Sequence, residues 1–241
     1  MTAGAGGADV SSADASRSLP LVRLLQLASP TLPVGAYSYS QGLEWVVGDG
    51  TVHDAATTES WIGDVLDLVM APGEAAIAWR LLDGAQRGDA DALVFWNARF
   101  RASRESSELA AETLQMGGSL AKLADELGLL DASARAWRAR LVPVTLPAAF
   151  ALAARGFDVP SAAALVGYVW SWIENQVLAA VKLVPLGQVA GQRLLVSLGA
   201  RVPAAVASAQ AIADEAVSSF APGLALASCR HETQYTRLFR S

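Results

Sequence analysis

Apolar residues in this chain recur at helical spacing and seldom alternate with polar ones. Trp61, Val65, Leu68 and Val69 fall on one helical face, and Leu165, Tyr168, Val169, Trp172 and Ile173 wrap much of another helix. Period-two alternation marks a half-buried strand; it is rare here, and no such window is bounded like a hairpin. The pattern predicts an all-α fold, a single-domain bundle of about ten helices over residues 19–227, with a flexible tail at either end.

Proline and glycine set the boundaries, because proline lacks an N–H and glycine tolerates left-handed angles. Helices are expected over Pro20–Ala28, to about Val47, Asp54–Met70, Glu74–Arg87, Asp89–Ser103, Arg104–Leu127 and Ala132–Arg140. Four more follow: Leu146–Arg155, Ser161–Val184, Leu186–Leu198 and Pro203–Phe220. Ala71-Pro72-Gly73 reads as a break. Gly117-Gly118 interrupts a helix at a cost of about 2 kcal/mol relative to alanine, which calls for close packing or a kink there. The apolar helix from Ser161 belongs at the centre of the bundle.

Hydrophobic residues make up 53% of the 241 and charged residues 17%, against a usual charged share of about 25%. Such a chain has a large core, or apolar surface that meets a partner. A net charge of −5 argues against a sequence-blind grip on nucleic acid. The single cysteine, Cys229, fits a reducing compartment, and Met1–Ser18 lacks the basic start and apolar run of a signal peptide. That segment is expected to be a disordered tail, and the protein cytoplasmic. The longest charge-free apolar-rich run, Val159–Ile173, is shorter than the roughly 18 residues that cross a bilayer, so no membrane partner is expected.

Two stretches stand out from this regular pattern. Ser29–Glu44 is a corner: Pro30 and Pro33 stop one helix, Gly35 permits a turn, and Ser38 and Ser40 offer caps to the next. Its Tyr37, Tyr39 and Gln41 are open to two readings, core residues of a turn or a contact surface. Ser228–Ser241 carries Arg230, Arg237 and Arg240 against Glu232, with Tyr235, Leu238 and Phe239 among them. Disordered tails usually avoid aromatics. This composition suits docking, with basic groups for an acidic surface and aromatics for pockets, or else folding back on its own domain.

Catalytic patterns are missing. The chain has two histidines, His53 and His231, and no nucleophile elbow, zinc-protease motif or phosphate loop. Cys229, His231 and Glu232 lie within four residues and are weak candidates for a metal site, which needs three or four ligands. Asn175, Gln176, Gln188 and Gln192 are polar groups in apolar surroundings, expected to hold a helix junction, the alternative being that they line a wet passage for an ion.

Four ordered blocks resemble one family. Leu24–Pro30 with Leu32–Glu44, Ser103–Glu105 to Gln115–Leu120, Asn175–Gln188 into Gly191–Arg193, and His231–Ser241 are similar to the urease accessory protein UreF family. The likeness runs from about Leu21 to the last residue; Gly117-Gly118 departs from it, since a single glycine followed by a larger residue is usual there.

The resemblance implies an all-helical, dimeric and non-enzymatic assembly factor. UreF-like proteins bind UreD (also called UreH) and recruit the GTPase UreG, in a complex that delivers nickel to apo-urease. Nickel and GTP would then be handled by the partner complex, with no cofactor bound directly. Partner-binding residues would be Tyr235, Arg237, Leu238, Phe239 and Arg240 in the tail, and Tyr37, Tyr39 and Gln41 at the corner. The alternatives are a direct nickel carrier using Cys229, His231 and Glu232, and an all-α enzyme acting on a small apolar substrate.

Overall fold

The computed structural model describes residues 8–241, and among them there are helices and no strands. In chain order these are α1 (Ala8–Leu27), α2 (Leu43–Gly48), α3 (Ala55–Val65), α4 (Ala75–Arg87), α5 (Ala90–Ala102) and α6 (Ser107–Glu126). Then come α7 (Ala132–Arg140), α8 (Leu146–Gly156), α9 (Ser161–Leu183), α10 (Gln188–Gly199), α11 (Val202–Ala211) and α12 (Pro222–His231). Of the segment expected to be a disordered tail, residues 1–7 lie outside the described residues and residues 8–18 belong to α1.

The helices start by two devices. Asp54, Asp89, Ser106 and Asp131 each accept a backbone N–H from the first turn of α3, α5, α6 and α7. Prolines open α8, α11 and α12 and precede α9, where the missing N–H costs nothing. α8 is enclosed along its length: Pro147 through Ala154 are all buried, between α4, α6 and α9. α9 is central as expected, packing against α1, α2, α4, α8, α10 and α11.

Three boundaries differ from the sequence reading. The chain does not break at Pro72, because α3 and α4 are joined by a π-helical segment, Leu66–Glu74. There Ala75 N–H reaches back five residues to Met70 O, and the wider coil accommodates the proline. The expected Pro203–Phe220 helix ends at Ala211, with a short 3₁₀ turn at Asp214–Ala216. α12 then runs through Ser228, where the sequence put the start of a tail. The two glycines of α6 also separate. A Cβ on Gly117 would stand 2.4 Å from the Thr145 carbonyl carbon, so α6 and the start of α8 touch through this residue, whereas Gly118 faces open space.

α10 and α11 together form an apolar stretch, Gln188–Ala211, long enough by length and composition to cross a membrane. In this structure it is bent at Ala200–Arg201 and buries Leu194, Leu198, Val202, Ala205, Val206 and Ala209 against the bundle. Arg201 ties the bend to α3 through Gly63 O at 3.1 Å.

Candidate partner-docking site

The corner and the C-terminal segment, about 190 residues apart in sequence, form one structure. Gly35, Gln41 and Gly42 all have left-handed backbone angles, with φ of 82°, 54° and 81°. Gly42 has to be glycine twice over, since a Cβ there would also lie 3.0 Å from Ser228 N in α12. Gln41 pays the left-handed strain as an ordinary residue and is held by its side chain. Its amide donates to Glu112 Oε1 at 2.7 Å and its carbonyl oxygen accepts Trp172 Nε1–H at 2.7 Å.

Two carboxylates clasp the last residues. Glu44, in the first turn of α2, accepts the backbone N–H groups of Leu238 and Phe239 at 2.6 and 2.8 Å. Glu108, in the first turn of α6, pairs with Arg237 at 2.6 Å. His231 is fully buried between them, Nε2 3.2 Å from Glu44 and Nδ1 2.7 Å from Glu108. Beyond the clasp, Arg240 N–H donates to Ser38 O at 2.8 Å, and Ser40 donates N–H and hydroxyl to Ser241 O.

These contacts sort the residues singled out from sequence. Tyr39 is buried at 4% exposure, its hydroxyl donating to Gln115 at 2.7 Å, and burial raises its pKa. Tyr37 is 65% exposed. Tyr235 is fully exposed, Leu238 is 65% exposed, and Arg237 and Arg240 are partly or largely open to solvent. Phe239 is different: it sits at 4% exposure in a small core with Leu43, Val46, Val52, Ala180, Val184 and Ala227. In this arrangement its ring fills a pocket of its own chain rather than a partner's. Cys229 is exposed on α12, two residues from buried His231, and residues so spaced do not share a helix face. The two therefore do not combine into one site, and among the described residues no group of three metal-ligating side chains is found. Asn175 donates to Tyr39 O at 3.1 Å and Gln176 is buried beside Gln41, but Gln188 and Gln192 are exposed and hold no junction.

Beneath the corner the polar contacts continue inward. Glu74, from the π-helical segment, accepts the buried Tyr168 Oη–H at 2.6 Å and pairs with the partly buried Arg104 at 3.0 Å. Glu112 accepts Ser241 Oγ–H at 2.8 Å and is pushed up to about 7, chiefly by burial. A cavity of about 100 Å³ opens between the corner, α6, α8 and α9, walled by residues such as Leu27, Val34, Met116 and Phe150. Sequence reasoning missed Glu44, Glu108 and Glu112 as site residues. A signal existed: Glu108, Glu112 and Gln115 stand at i, i+4 and i+7 on α6, one polar stripe facing the corner.

The UreF family model matches residues 52–199. A urease accessory protein UreF of Azoarcus sp. (strain BH72) is 56% identical over 226 residues, covering 92% of this chain and 96% of that protein. That of Janthinobacterium sp. (strain Marseille) is 52% identical, with 92% and 98% covered. A bifunctional urease accessory protein UreEF of Bordetella bronchiseptica is 52% identical over 92% of this chain, which spans 52% of that longer protein. With matches of this extent, the chain belongs to the UreF family of urease accessory proteins.

Proposed function

We propose that this protein is a non-catalytic adaptor in urease maturation, a cytoplasmic homodimer that binds UreD and recruits and modulates the GTPase UreG for nickel insertion into apo-urease. The observation that carries the reading is the clasp. Glu44 holds the backbone of Leu238 and Phe239, Glu108 holds the Arg237 side chain and His231 lies buried between the two carboxylates, while Tyr235 and Leu238 are left in solvent. Large apolar side chains held outward on an immobilised segment lose little entropy on docking, which is how interface anchors work. Arg240 adds positive charge for an acidic partner, and Arg237, paired with Glu108, keeps part of its side chain in solvent between them. Tyr37, exposed on the same corner, extends the surface, whereas Tyr39, Gln41 and Phe239 serve it from below by holding its shape.

The fused relative is consistent with an adaptor, because joining two accessory functions on one chain raises their effective concentration. The test is co-elution of the purified chain with UreD, then with UreG and apo-urease added. A stable complex with UreD that retains UreG only when this chain is present is the expected result. UreD and UreG associating equally well without it would overturn the reading.

A further inference from the structure

The cavity beneath the corner has a lining that packing alone does not require. Buried spaces that stay empty are lined by apolar groups, and wet ones carry evenly satisfied polar groups. This one has aliphatic walls, including Leu27, Leu32 and Leu178, and three carboxylates: Glu74, Glu112 and Glu174. Arg104 answers Glu74 at 3.0 Å. Glu112 has two neutral direct partners, the Gln41 amide and the Ser241 hydroxyl. Glu174 is half-buried, and burial alone acts on it, with no hydrogen bond or charge to offset that. No lysine or arginine is among the lining residues described.

We propose that this cavity is a binding site for an alkylammonium group, a short aliphatic stem along the apolar walls with one cationic head toward Glu112 and Glu174. Charge complementarity selects this occupant. A neutral apolar ligand would leave the Glu174 carboxylate at the cavity wall without a counter-charge, and Glu112 with neutral direct partners alone. A divalent metal ion would want a shell of oxygen ligands and water and make no use of the aliphatic walls, and no three ligating side chains meet among the described residues. A cation on an apolar stem uses both halves of the lining, as lysine does when its methylenes lie on apolar surface. Trp172 is also in the lining, and an indole attracts a cation. A lysine of a docked protein and a free amine share this chemistry. The inference does not rest on the role in urease maturation.

Calorimetric titration of the full chain with butylammonium, at about pH 8 so that Glu112 is ionised, tests it directly. One saturable site is expected, with butanol binding at least about tenfold more weakly and Glu174→Gln weakening butylammonium by about tenfold. Glu174 makes no hydrogen bond or ion pair within the chain, so this variant should melt at the temperature of the parent chain. Glu112→Gln should weaken binding as well, with circular dichroism reporting its fold. N-acetyl-lysine methylamide binding more tightly than butylammonium assigns the site to a partner's lysine; weaker binding assigns it to a free amine. Absence of saturable binding, butanol equalling butylammonium, or Glu174→Gln binding like the parent chain would overturn the proposal.

Discussion

Glu112 lies in α6 with 6% of its surface exposed, bonded to Gln41 and Ser241, and its pKa stands at about 7 against 4.5 for a free glutamate. The cause is first burial, then the nearby Glu74, only partly offset by the two hydrogen bonds and Arg104. The folded chain therefore holds this proton more tightly than the unfolded chain does. Between 4.5 and about 7 the folded state binds more protons, so stability falls as pH rises through that window. The fall from this one group is at most about 1.4 kcal/mol per pH unit. Below the window its contribution is fully present; above it, it is lost. Glu112→Gln keeps an acceptor and stays neutral, so urea unfolding at a series of pH values should show a shallower decline than the parent. Parallel pH profiles for the two chains would mean that Glu112 is not a buried acid in solution.

Helix α6 separates two glycines that the sequence presents as a pair. Gly117 touches the backbone at Thr145, so a methyl group there must push α6 and α8 apart. Gly118 faces open space and carries only the entropic cost of glycine in a helix. Gly117→Ala should destabilise by about 1–3 kcal/mol, and Gly118→Ala should stabilise by about 0.5–1 kcal/mol. Chemical denaturation of both variants checks the pair, and equal effects would contradict the packing. Helices such as α5, α7 and α8 were legible because caps, apolar spacing and stop residues agreed. The passage through Pro72 was not, because a π-helical segment depends on tertiary support from both flanking helices. α12 could have been read: Pro222 suits a first turn, and Leu224, Ala227, Ser228 and His231 form one buried stripe. The basic, aromatic composition just beyond it drew only its last residues, from Ser228, into the tail.

Across the whole molecule, the corner, α6 and the last residues depend on one another. The proposed docking residues were partly legible as types, arginine and aromatics in a short stretch. Which of them face outward was not, because that is set by Glu44 and Glu108, distant in sequence from the tail they hold. The arrangement seats an arginine- and aromatic-rich segment on the outside of the bundle with Phe239 as its root. The account's central claim is that this patch binds UreD. Tyr235 and Leu238 are the residues to replace, since both are exposed and neither is part of either core cluster. The affinity of UreD for the Tyr235→Ala, Leu238→Ala double variant should fall by 2 kcal/mol or more, about thirtyfold, with an unchanged melting temperature. Undiminished affinity for UreD in that variant would contradict the claim.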